Sequence, residues 1–118
     1  ECKRNGIRTS IFVDPLLEMI EGAKETGTDR IELYTEEFAK QYELGNRNGI
    51  DSYTIAAVRA NELGLGINAG HDLSLENIQF FKENIPNLLE VSIGHALISE
   101  SIYLGIENVV NMYLQKLK

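Results

Sequence analysis

The spacing of apolar and polar residues changes repeatedly along this chain, and each change marks an element. Residues 8–13 (Arg8, Thr9, Ser10, Ile11, Phe12, Val13) are β-branched, apolar and partly alternating, the pattern of a strand. Leu16, Leu17, Met19, Ile20 and Ala23 then recur at helical spacing. Asp14 and Pro15 precede them, so Asp14 is expected to cap this helix and Pro15 to take its first position. Gly27 closes it, and residues 30–35 read as a second strand. The stretch 36–49 is polar and aromatic. It predicts about one helical turn within 37–42, then a loop.

A helix follows from about Asp51, with Ile50, Tyr53, Thr54, Ala57 and Ala60 on one face and Gly64 at its end. Residues 66–69 predict a third strand. Ser74 is the expected N-cap of the next helix, whose apolar face is Leu75, Ile78, Phe81 and Ile85 and which Pro86 stops. Residues 89–93 predict a fourth strand, 97–104 a helical turn broken by Gly105, and 106–117 a last helix. Strands alternating with helices imply parallel β-α-β crossovers, hence an α/β protein. The repeat fits an open sheet and a barrel segment equally. Four β-α units are half of a (β/α)8 TIM barrel, which typically has about 250 residues.

Composition narrows the class. A chain of 118 residues suits one domain. With 43% hydrophobic and 25% charged residues it is globular rather than disordered. No apolar run is long enough to cross a membrane. Lys and Arg total 11 against 18 Asp and Glu, a net charge of −7. That disfavours nucleic acid or an anionic membrane as partner. Cys2 is the single cysteine, so no intrachain disulfide forms, in keeping with a reducing cytoplasm. The first residues carry no signal-peptide apolar stretch and no initiator Met, which reads as a chain processed or cut from a longer one.

In parallel α/β folds, sites gather at the carboxyl ends of strands. Asp14 follows the first strand and reads as a cap before it reads as an acid. Glu32 lies inside the second strand, on the face opposite Ile31 and Leu33. A lone carboxylate between two buried faces is costly. In a barrel it would look into the pocket instead. The third strand delivers Gly70-His71-Asp72 and the fourth Gly94-His95-Ala96, so both histidines of the chain follow a glycine at a strand end. Histidine there suits general acid–base work near neutral pH. A Gly-His loop entering a helix suits phosphate. His71, Asp72, His95 and Glu32 are plausible metal ligands by type, but no pair has the spacing that holds a metal on one element, and no metal is expected.

The strings IELYT, INAGHDLSLENI and EVSIGHALISESIYLGIENVV resemble the carboxyl-terminal half of the pyridoxine 5′-phosphate synthase family, and TSIFVDP fits that family's fifth strand. The resemblance runs in order over nearly all 118 residues. It implies a (β/α)8 barrel of which residues 1–118 form one region, the last four β-α units. It implies condensation of 1-deoxy-D-xylulose 5-phosphate with 3-amino-2-oxopropyl phosphate to pyridoxine 5′-phosphate, phosphate and water, with no cofactor. It implies a cytoplasmic homo-oligomer, typically an octamer. By the same resemblance His71 matches the proton donor and Glu32 the glutamate that assists the transition state. Gly94 and His95 match residues that bind the amino-ketone phosphate. Asp72 stands at a substrate-binding position where glycine is common, and Tyr34 where histidine is common. The family's other acid–base residues and arginine anchors lie in the first half of the barrel, so this segment alone is expected not to catalyse the full reaction. Residues alone leave two rivals: another phosphate-binding barrel isomerase or aldolase, and a non-catalytic half-barrel that binds a ligand. No strand carries the lysine that an aldolase would use.

Overall fold

The computed structural model describes residues 1–118. Four strands form one parallel sheet in the order β1-β2-β3-β4: β1 Ser10–Val13, β2 Arg30–Tyr34, β3 Gly66–His71 and β4 Leu88–Ile93. Helices α1 (Leu17–Glu25), α2 (Glu36–Glu43), α3 (Asp51–Glu62), α4 (Ile78–Asn84), α5 (His95–Leu104) and α6 (Ile106–Lys116) follow the strands. The α/β class expected from the repeat holds, with neighbouring strands adjacent in chain order.

The sheet has one apolar and one polar face, and that asymmetry follows from alternation within each strand. Ile31 and Leu33 of β2 and Ile67 and Ala69 of β3 are fully buried. They join Ile20 and Ala23 of α1, Tyr53, Ala56, Ala57 and Ala60 of α3, Phe81 of α4 and Val109 of α6 in one core. The opposite face carries Phe12, Arg30, Glu32, Asn68, Glu90 and Ser92 at paired register positions. No helix closes it. Its middle is polar: the Arg30 guanidinium donates to Asn68 Oδ1 at 3.1 Å and to Glu90 Oε2 at 2.9 Å. Its apolar residues are exposed, with Phe12 at 62% and Leu89 at 58%. Strands β1 and β4 keep unpaired outer edges. A shift of register between Ile67 and Asn68 marks a bulge against β4.

Several boundaries differ from the sequence reading. Regular helix α1 begins at Leu17 rather than Pro15. Asp14 caps nothing with its side chain; its carbonyl instead accepts the Leu16 N–H at 2.8 Å, a tight turn that delays the helix. Helix α2 runs two turns, not one, and a 3₁₀ turn over Arg47–Ile50 replaces most of the expected loop. The extra length rests on i,i+4 pairs, Lys40 Nζ to Glu36 at 2.6 Å and Gln41 to Glu37 at 2.8 Å. Strand β3 continues to His71, two residues beyond the expected end. The expected turn in 97–104 is the ten-residue helix α5, which starts at His95. At Ser74 the capping chemistry is present although regular helix starts only at Ile78. The Ser74 N–H donates to Asn77 Oδ1 at 2.9 Å, and Ser74 Oγ accepts the Glu76 N–H at 3.3 Å.

Candidate functional site

The polar face of the sheet ends, at the carboxyl ends of the strands, in a recess of about 290 Å³. Glu32 of β2, His71 of β3, Gly94 between β4 and α5 and His95 at the start of α5 border it, with Phe12 of β1 and Ser92 of β4. Four residues singled out from sequence therefore share one concavity. Asp72 is not among the residues that border it, and reaches it only through a bond to His71.

Glu32 reaches this position because Gly70 lies beside it on β3. A Cβ at residue 70 would stand 2.5 Å from Glu32 Oε1 and 2.8 Å from the Ser92 carbonyl. Only glycine leaves that space. Glu32 Oε1 is buried and has no hydrogen-bond partner within the protein. Native buried acceptors are seldom left so, and those that are concentrate at functional places.

His71 adopts φ = 95°, a left-handed conformation that costs a non-glycine residue of order 1–3 kcal/mol. The surrounding bonds hold it there. Thr35, fully buried just past β2, donates its hydroxyl to the Gly70 carbonyl at 2.7 Å and its N–H to the same oxygen at 3.2 Å. The Thr35 Oγ1 also accepts the Asp72 N–H at 3.2 Å. The backbone is thus tied on both sides of residue 71. The His71 ring meets the Tyr34 ring edge-on, with centroids 5.1 Å apart and planes at 65°. Its Nδ1 lies 2.7 Å from Asp72 Oδ2.

Tyr34 is positioned in turn by its hydroxyl, which donates to Glu36 Oε2 at 2.7 Å, and this bond raises the phenol above its ordinary pKa. Bonds from Lys40 and then Tyr34 hold the Glu36 carboxyl below the usual range. Beneath β2 the buried Tyr53 hydroxyl donates to the Tyr34 carbonyl at 2.9 Å and accepts the Phe38 N–H at 3.3 Å. Burial pushes Tyr53 up to about 12. Tyr53 packs with Phe38 and Phe81, so the aromatic cluster under the sheet braces the strand end that carries Thr35.

Gly94 precedes α5 with no side-chain cap, and the first turn of that helix holds no acidic residue. Its backbone N–H groups are free of competing carboxylates, the arrangement that favours an anion. At Asp72 the carboxylate Oδ2 faces His71 and the N–H goes to Thr35. On its other side Asp72 borders a second concavity, of about 380 Å³, with Glu36, Glu43 and Glu76. That acidic lining repels phosphate. No three His, Cys, Asp or Glu side chains gather as a metal-binding group, and no helix is long and apolar enough to cross a membrane. Cys2 is exposed, away from the recess.

Sequence reasoning missed Thr35 as a contributor. Its partners Gly70 and Asp72 are 35 and 37 residues away, so no local spacing announces it. Two comparisons bear on the whole arrangement. A family model described as pyridoxal phosphate biosynthesis protein PdxJ matches residues 1–118. Proteins named pyridoxine 5′-phosphate synthase match as well. The one from Flavobacterium johnsoniae is 82% identical over 118 residues and that from Christiangramia forsetii 67%, each covering 100% of this chain and 50% of the relative. The one from Cytophaga hutchinsonii is 53% identical over 98% of this chain and 49% of its own length. The chain spans about half the length of the curated relatives it matches.

Proposed function

The chain belongs to the PdxJ family of pyridoxal phosphate biosynthesis proteins, and on that premise we propose that it is the carboxyl-terminal half of a (β/α)8 barrel that makes pyridoxine 5′-phosphate. The substrates would be 1-deoxy-D-xylulose 5-phosphate and 3-amino-2-oxopropyl phosphate, joined in the cytoplasm without a cofactor. An amino-terminal half would close the sheet against β1 and β4 and cover Phe12 and Leu89. Exposed apolar residues of α5 and α6, among them Ile98, Ile102 and Ile106, offer further surface for that half or for neighbouring copies. The octamer implied by the resemblance would use such surface.

The observation that carries this reading is the convergence of Glu32, His71, Gly94 and His95 on one recess at the strand ends. The chemistry fits their types. Imine formation, loss of phosphate, loss of water and ring closure are successive proton transfers. His71 gives and takes those protons, a role that contributes typically about 10²–10⁴-fold. Glu32 faces cationic iminium character with its unpartnered oxygen and stabilises it electrostatically. Gly94, His95 and the first turn of α5 anchor a substrate phosphate, which fixes orientation. The test is to offer the full-length protein both phosphorylated substrates and follow product and phosphate together. Pyridoxine 5′-phosphate appearing with stoichiometric phosphate supports the reading. Sugar-phosphate isomerisation alone, or binding without turnover, overturns it.

A further inference from the structure

We propose that Asp72 serves the reaction through His71: its carboxylate holds the imidazole in the Nδ1–H tautomer and leaves Nε2 as the atom that exchanges protons with substrate. The proposal rests on the reading of His71 as the acid–base group. An ionised carboxylate only accepts hydrogen bonds, so in the 2.7 Å contact between Asp72 Oδ2 and His71 Nδ1 the proton belongs to the ring nitrogen. Which nitrogen of a histidine is free is set by the bond that the other one makes.

The bonds around residue 71 divide the work of holding it. Thr35 ties the backbone on both sides, through the Gly70 carbonyl and the Asp72 N–H. Tyr34 meets the ring edge-on and limits its swing. Neither contact touches a ring nitrogen. Only Asp72 chooses the tautomer. A role as phosphate ligand suits Asp72 poorly, because its N–H already donates to Thr35 and its carboxylate would repel an anion. The proton balance follows. As acid, the imidazolium releases the Nε2 proton to the leaving oxygen, and the ring returns to the neutral Nδ1–H form with its bond to Asp72 intact. As base, Nε2 takes a proton from substrate, and the new positive charge lies beside the carboxylate. Asp72 is a positioning residue, since it touches the histidine and not the reacting atoms.

The experiment uses the full-length protein with Asp72→Ala and the isosteric Asp72→Asn, and reads kcat, KM for each phosphorylated substrate and the ¹⁵N resonances of the His71 ring. The expected result for Asp72→Ala is a kcat about tenfold lower, a share of the usual acid–base contribution, with each KM within about twofold. The His71 resonances should lose the Nδ1–H signature. In a His71→Ala background, Asp72→Ala should cost nothing more, because Asp72 has nothing left to act through. A raised KM for one substrate at unchanged kcat would place Asp72 on the substrate and overturn the proposal. So would an unchanged tautomer, or a full additive loss in the His71→Ala background. If His71→Ala itself turns over normally, the acid–base reading of His71 fails, and the ring resonances still decide whether Asp72 sets the tautomer.

Discussion

Replacing Gly70 by alanine places one methyl group at the tightest point beside the candidate site. The new Cβ would stand 2.5 Å from Glu32 Oε1, 2.8 Å from the Ser92 carbonyl oxygen and 2.9 Å from Ser92 Cβ. The first neighbour is the end of a side chain and can move. The other two belong to β4, so β3 and β4 must also part by a few tenths of an ångström. Overpacking of this kind costs about 1–3 kcal/mol. In a chain of 150–250 residues each kcal/mol lowers Tm by about 2–4 °C. Moving the Glu32 carboxylate by about half an ångström should also lower kcat roughly tenfold, given that a 1 Å misplacement can cost 10²-fold. Thermal unfolding and steady-state turnover of the full-length protein read the two effects. Gly22→Ala gives the opposite sign: nothing lies within 4 Å of its added Cβ and its backbone is helical. It should stabilise by about 0.5–1 kcal/mol. A Gly70→Ala protein as stable and active as the parent would refute the claim that this glycine makes room for the carboxylate.

Other substitutions test the supports of the site. Thr35→Val removes the hydroxyl that bonds Gly70 and Asp72 and should destabilise by about 1–3 kcal/mol in urea titrations, whereas Thr35→Ser should restore most of the loss. His71→Gly should be more stable than His71→Ala by about 1 kcal/mol, because only glycine is at ease at φ = 95°, while both should turn over at least about 100-fold more slowly than the parent. Thr9 holds the Asp29 carboxyl below its usual range, first through its backbone N–H at 2.8 Å and then through its hydroxyl at 3.0 Å. A depressed carboxyl contributes stability above its unfolded pKa, about 3.9, and loses it as pH falls through the lower folded value. Asp29→Asn should therefore flatten part of the fall in urea midpoint between pH 7 and pH 3.

Much of this fold was legible because its signals are local. The four strands, Gly64, Gly105 and Pro86 are marked by alternation and by residues that break helices. Glu32 was legible for a related reason: polar inside an apolar strand, it had to face away from Ile31 and Leu33. What escaped depends on distant partners. Helix α2 looked too polar to persist, yet Phe38 and Tyr42 pack on Phe80 of α4. Asp14 fitted a cap, but its carbonyl turned inward to Leu16 first. At Asp72 the family resemblance implied a substrate contact, and the structure brings its carboxylate to the His71 ring. The left-handed backbone of His71 had no sequence mark at all, since histidine in a strand gives no notice of positive φ.

Turnover of the full-length protein carrying His71→Asn, measured beside calorimetric binding of each phosphorylated substrate, tests the central claim most directly. The account expects pyridoxine 5′-phosphate formation to fall by at least about 100-fold, the lower end of an acid–base contribution, while binding persists through the α5 end of the recess. Product forming at the parent rate would contradict it, and the role given to His71 would have to pass to another group.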